Sequence, residues 1–164
     1  MPAQRRPRPS TSLVLAAALA AITTAGCAAT ISVPAGPDAA NPLCARAVLA
    51  VPGKVAGQEK VRASGQATAA WGQAGAAVTL RCGVEPPTPT TEDCQSITVD
   101  VRGEETVFDW IAVQDDAGWT FVTYGREPAV SVQVPASLAL EQPTAALVDL
   151  AAAVNEIPAT RQCV

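Results

Sequence analysis

The chain carries five cysteines, at positions 27, 44, 82, 94 and 163, and the first of them closes a leader that decides where the other four must fold. Arg5-Arg6-Pro7-Arg8 precedes the apolar run from Leu13 to Ile22, which is followed by the small residues Thr23 to Gly26 and then by Cys27. Charged, apolar and small-residue segments in that order form the pattern of an export signal. The run from Leu13 to Ile22 spans roughly 15 Å as a helix, about half a hydrocarbon core, which suits a cleaved leader better than a permanent membrane span. Cys44, Cys82, Cys94 and Cys163 would then fold in an oxidising compartment, where an even number permits two disulfides.

Thr24-Ala25-Gly26-Cys27 resembles the lipobox of bacterial lipoproteins, with Thr24 standing where leucine is usual. The resemblance implies cleavage after Gly26 and diacylglycerol on the Cys27 thiol. The alternatives are ordinary cleavage near Ala29 with a free Cys27, or an uncleaved anchor. Two or three acyl chains, at roughly 0.8 kcal/mol per buried CH₂, hold a protein stably where one chain binds only marginally. The segment from Ala28 to Asn41 contains Pro34, Gly36 and Pro37 and shows no apolar period. It reads as a flexible tether that floats the domain roughly 20 Å off the lipid. The expected division is therefore a lipoprotein signal peptide over 1–26, a lipidated cysteine and tether over 27–41, and a single disulfide-bonded domain over 42–164. The expected location is extracytoplasmic, at the outer face of the cytoplasmic membrane, with the lipid bilayer as a partner through Cys27.

Charge narrows the other partners. Arg5, Arg6 and Arg8 are the only charged side chains before Cys27, so loss of the leader takes the net charge from −4 to −7. An acidic surface with no lysine or arginine run repels a polyanion, which disfavours nucleic acid. The cysteines allow three pairings, with buried free thiols as the further alternative. Local reasoning favours Cys82 with Cys94, which bracket a Pro-rich loop whose closure contributes roughly 3 kcal/mol. No C-x₂-C pair and no histidine occurs, which argues against zinc and leaves no metal or cofactor expected.

The domain pattern predicts two helices around a run of strands. Asn41-Pro42 offers an N-cap and a first-turn proline, with Cys44, Val48 and Val51 on one helical face before Pro52-Gly53. Residues 53 to 68 are polar and weakly patterned, and read as loop, with a short strand as the alternative. Val78, Leu80 and Cys82 then alternate with Thr79 and Arg81, and further strands follow at Ile97–Val101, Val107–Val113, Trp119–Tyr124 and Val130–Val134. Pro86, Pro87 and Pro89 mark a loop, and Asp115-Asp116-Ala117-Gly118 a hairpin turn. Pro143 opens a second helix, with Leu147, Leu150, Ala151 and Val154 on one face. The expected fold is α+β: an antiparallel sheet of four or five strands with two helices packed on one face.

Catalytic chemistry is hard to place. The absence of histidine excludes Ser-His-Asp and Cys-His triads. The carboxylate pairs Glu104-Glu105 and Asp115-Asp116 read as solvated loops, and no phosphate-binding or dinucleotide fingerprint is present. Arg81 and Arg126 lie at or beside strands, next to glycine or cysteine, and could bind a carboxylate or phosphate bidentately. The structural alternative stacks them on Trp71, Trp110 or Trp119, or pairs them with Asp109 or Glu127. Trp71 and Trp110 are core anchors or, if exposed together, a binding platform.

Ala70-Trp71-Gly72, Val78-Thr79-Leu80-Arg81-Cys82-Gly83-Val84, Asp109-Trp110, Thr123-Tyr124-Gly125-Arg126 and Val132-Gln133-Val134-Pro135 together resemble domain of unknown function 3515, a family of lipoproteins from high-GC Gram-positive bacteria. The likeness runs from about residue 42 to 155, and the Leu-Arg-Cys-Gly-Val run with its preceding Trp-Gly is the most specific part. Here Gly103 and Asp109 stand further apart than is common in the family. The resemblance implies a bridge between Cys44 and Cys82, leaving Cys94 with Cys163. It implies an envelope role and no established activity. The expectation is a non-catalytic module that binds an envelope protein or a cell-wall component. The alternatives are a receptor for a small anionic ligand that uses Arg81 or Arg126 beside an exposed tryptophan, and a histidine-independent enzyme with two carboxylates converging in a cleft.

Overall fold

A computed structural model of the protein describes residues 30–88, 93–139 and 142–163. The leader and Cys27 lie outside the described residues. The elements run α1 (Pro42–Leu49), β1 (Lys54–Val55), β2 (Gln58–Val61), β3 (Thr68–Trp71), β4 (Val78–Val84), β5 (Cys94–Val101), β6 (Glu104–Asp115), β7 (Gly118–Thr123), β8 (Ala129–Pro135) and α2 (Ala145–Val154).

All eight strands join one antiparallel sheet in the order β1-β2-β3-β4-β8-β7-β6-β5, curled into a half-barrel. The expected α+β fold with four or five strands is therefore corrected to a mostly-sheet fold with two short helices. The sheet is two meanders, β1 to β4 and β5 to β8, joined where β4 pairs with β8. The polar stretch expected as loop, or at most one short strand, supplies two strands, β1 and β2, connected through Ala56 (φ 46°) and Gly57 (φ 74°). Positive φ at two successive turn residues matches the twist of a two-residue hairpin. β3 was unreadable for a different reason. Thr68, Ala69, Ala70 and Trp71 are all buried, so no polar face alternates with an apolar one.

The concave face holds the core. Leu80, Val132 and Phe121 stand side by side across β4, β8 and β7, and both helices cover them. Asn41 caps α1, its side chain accepting a hydrogen bond from the Leu43 N–H at 3.0 Å. α2 touches β8 and both edge strands, β1 and β5, so it lies across the open side of the curl. Edge strands present unpaired backbone groups, and a covering helix limits pairing with another chain. The Asp149 carboxylate ties this helix to the β1–β2 hairpin by accepting from the Ala56 N–H at 2.8 Å.

The segment expected as a tether is folded from Ile31 onward. The Ile31 N–H donates to the Arg62 carbonyl at 2.8 Å, and its own carbonyl accepts from Ser64 at 3.0 Å. Ile31 and Val33 are buried with Ala70 and Ala77 against the convex face of the sheet. The Asp38 N–H then donates to the Gly83 carbonyl at 2.9 Å. Two large apolar residues at a spacing of two are too short a pattern to register as a strand, yet they bury Ala70 of β3 and Ala77, just before β4, on the outer side of the sheet. Residues 31–41 are a strap over the sheet.

Cys44 is bonded to Cys82, and Cys94 to Cys163. The Pro-rich loop is thus not closed on itself by Cys82 and Cys94. The first bridge staples α1 to the centre of the sheet, and the second fastens the C-terminal segment to the edge strand β5.

Candidate functional site

The two tryptophans considered from sequence as core anchors or a platform are packed into the core on the concave face. Trp71 and Trp110 are both 0% exposed. The Trp71 indole donates to the Pro52 carbonyl at 3.0 Å, whereas the Trp110 indole nitrogen is buried without a partner. Neither can stack on a ligand from solvent, so a pocket combining an arginine with an exposed tryptophan is not present at these positions.

Arg126 is also structural. It is buried, with its guanidinium 4.9 Å from the Phe108 ring centre. It donates to the carbonyls of Val154 and Ile157, at and just beyond the end of α2. A cation at a helix C-terminus satisfies carbonyls that lack intrahelical partners and meets the negative end of the helix dipole. Burial lowers its pKa from the ordinary value, opposed by the nearby Asp109 carboxylate. The stacking partner is Phe108, not one of the tryptophans considered from sequence.

Asp109, a candidate arginine partner on sequence grounds, holds the segment around Cys163. Its carboxylate accepts from Ser96 Oγ at 2.5 Å and from the Cys163 N–H at 2.9 Å. The sulfurs of Cys94 and Cys163 and an Asp109 oxygen lie within 4.8 Å of one another. Both sulfurs are spent in the disulfide, and the thiolate is the form that ligates metal. The acidic pairs sit in exposed hairpin ends, where Asp115 accepts from the Ala117 N–H at 2.8 Å.

What remains is the convex face. Register places Arg81 opposite Ser131, and Thr79 opposite Gln133, which in turn stands opposite Thr120. Because successive strand residues point to opposite faces, these five side chains share one face of three adjacent strands. Ser32, Val33 and Pro34 of the strap wall them on one side, forming a trough of about 320 Å³. A second concavity of about 470 Å³ continues from it past Ser32, Thr79 and Gln133 toward Asp116 and Ser137. Arg81 is half-buried, and its Nε is fully buried with no hydrogen-bond partner. Among the described residues the two salt bridges are Lys54 with Glu59 and Arg102 with Glu156, and no acidic side chain lines the trough. The alternation of Thr79 and Arg81 was visible in the sequence. That Ser131, Gln133 and Thr120 lie beside them was not, because nothing local announces that β8 pairs with β4.

A family model described as "Protein of unknown function (DUF3515)" matches residues 10–162. The chain belongs to this family. No curated protein and no solved structure matches it. In this DUF3515 chain the Leu-Arg-Cys-Gly-Val run has a definite structural content. Leu80 and Cys82 face the core, Arg81 floors the trough, and Gly83 (φ +81°) makes the bulge over which the strap passes. A Cβ on Gly83 would lie 2.4 Å from the Asp38 backbone. Only glycine accepts both that φ and that approach.

Proposed function

We propose that the protein is an exported lipoprotein, anchored through Cys27 to the outer face of the cytoplasmic membrane, whose half-barrel is a non-catalytic binding module. The observation that carries this is the cysteine arrangement. The four cysteines of the folded part are consumed in two disulfides, which are stable structures outside a reducing cytosol. Cys27 alone is left over, and it directly follows the leader's small residues. Among the described residues no helix is long and apolar enough to cross a membrane, so attachment in this reading rests on acyl chains.

The trough on the convex face supports binding rather than catalysis. Its described lining offers hydroxyls, an amide and one guanidinium, with no carboxylate or thiol to act as general base or nucleophile. The surface is thus suited to recognising an anion or a polar chain. The receptor alternative survives in reduced form, with Arg81 and without Arg126 or a tryptophan.

Mass spectrometry of the protein extracted from membranes tests the anchor. The expected N-terminal peptide begins at Cys27 and carries diacylglyceryl. An unmodified chain in the soluble fraction, starting at another residue, overturns the reading. Cross-linking in intact cells, with and without Arg81→Gln, tests the binding face. Adducts that depend on Arg81 support it, and an adduct pattern indifferent to Arg81→Gln removes it.

A further inference from the structure

The trough is built by the same piece of chain that leads back to Cys27. Ser32, Val33 and Pro34 form its wall, and five residue steps separate Cys27 from Ser32. Fully extended, such a stretch reaches at most about 18 Å. A chain acylated at Cys27 therefore holds Ser32, in the wall of the trough, no further than that from the anchored residue, comparable to the roughly 20 Å of the tether expected from sequence.

The charges around this point run against the rest of the protein. The chain without its leader carries −7, yet the strap's first buried residue, Ile31, has Lys60 and Arg62 beside it in one concavity, while Arg81 floors the trough beyond. Lys60 and Arg62 are exposed and appear in neither salt bridge among the described residues. The lining of these concavities includes one acid, Asp116, at the far end of the adjoining one, and Glu59, beside Lys60 in the chain, is paired with Lys54. Cations concentrate where the chain departs toward the membrane.

We infer that the trough binds the phosphodiester headgroup of an anionic membrane phospholipid, with Arg81 as its anion ligand. The inference rests on the anchored reading above. A phosphodiester presents two non-bridging oxygens, which a guanidinium engages with two parallel N–H donors. The half-buried Arg81 side chain lines the trough with no acidic partner there, and Ser131 across the strand pair is within the same lining. Thr79, Thr120 and Gln133 supply the hydroxyls and amide that a glycerol or other polar headgroup needs. Lys60 and Arg62 add long-range attraction without contacting the phosphate. Anchoring raises the local headgroup concentration far above what one arginine would require in solution, so a weak site is filled. The bound headgroup would fix the domain's orientation, with its strap side down on the membrane.

The acylated protein, extracted from membranes, is reconstituted in bilayers of phosphatidylcholine alone and of phosphatidylcholine with phosphatidylglycerol. The Arg81 Nε–H and Ser131 amide are followed by ¹⁵N NMR. Both resonances are expected to shift when phosphatidylglycerol is included and to stay in place with phosphatidylcholine alone, whose phosphodiester is the same but whose choline cation is repelled by Arg81, Lys60 and Arg62. Gln133→Glu, which puts a carboxylate in the trough and leaves Arg81 intact, is expected to weaken the response about tenfold. Absence of a phosphatidylglycerol-dependent shift overturns the inference, as does an undiminished response in Gln133→Glu. In non-ionic detergent, titration with inorganic phosphate decides the source. Saturation at micromolar phosphate assigns the trough to a soluble anion and overturns the lipid reading, and no saturation in that range supports it. Mass spectrometry of the same preparation separates the two layers. Missing diacylglyceryl on Cys27 defeats the anchor and this inference together, whereas an acylated protein with unmoved resonances defeats this inference only.

Discussion

Replacing each disulfide by a pair of alanines sets two physical effects against each other. The Cys44–Cys82 and Cys94–Cys163 bridges span sequence separations of 38 and 69. Loop-closure entropy then assigns them about 3.9 and about 4.4 kcal/mol, so chain entropy alone makes the second the more stabilising. Packing ranks them in reverse. Cys44 and Cys82 are both 0% exposed within the main core, and alanines there leave a cavity that costs about 1 to 2 kcal/mol more. Cys94 is exposed and Cys163 half-buried, so their removal opens no comparable void. The double variant Cys44→Ala/Cys82→Ala is expected to lose about 5 to 6 kcal/mol, and Cys94→Ala/Cys163→Ala about 4.4 kcal/mol. Against a typical domain stability of about 5 to 15 kcal/mol, both losses are large, and the first reaches the lower end of that range. Urea unfolding of the oxidised proteins, followed by tryptophan fluorescence, measures both losses. A larger loss for the Cys94–Cys163 pair refutes the reasoning, because it means that the central bridge contributes no packing beyond its loop.

Two further outcomes follow from single side chains. Trp71→Phe is expected to cost about 1 to 2 kcal/mol more than Trp110→Phe in thermal melts, because only the Trp71 indole has a partner to orphan, the Pro52 carbonyl at 3.0 Å. Equal losses would show that this hydrogen bond adds nothing net. Gly125→Ala places a Cβ 1.9 Å from the Arg161 carbonyl oxygen at φ +72°. It is expected to lift the C-terminal segment and deprotect the Thr160 amide, which donates to the Gly125 carbonyl at 2.7 Å, in hydrogen exchange. Gly103→Ala, with a comparable φ of +89° but nothing within 4 Å, should cost only about 1 to 2 kcal/mol and leave that amide protected. Equal exchange in the two variants counts against the crossing of segments at Gly125.

The trough was half legible. Arg81 stood out because Val78, Thr79, Leu80, Arg81 and Cys82 alternate on a strand with one wet face. Arg126 looked similar by the same criteria, and the two differ only in what lies over them. The end of α2 and the Phe108 ring enclose Arg126, while Arg81 lies between the strap and open solvent. Trp71 and Trp110 could have been platform or core on sequence grounds. Two helices packed on the concave face made them core.

Local features were decided within a few residues of chain and could be read there. The charged, apolar and small segments before Cys27, the Asn41 cap, the Asp115–Gly118 turn and the alternating strands β4 and β8 each rest on contacts or periods shorter than about one element. The eight-stranded count, the β4–β8 junction, the strap over Gly83 and the composition of the trough rest on pairings between distant segments. Alternation is written into a strand only when one face meets water. β3 is covered on one side by the core and on the other by Ile31 and Val33, so its membership in the sheet existed only once the tertiary structure had supplied both covers.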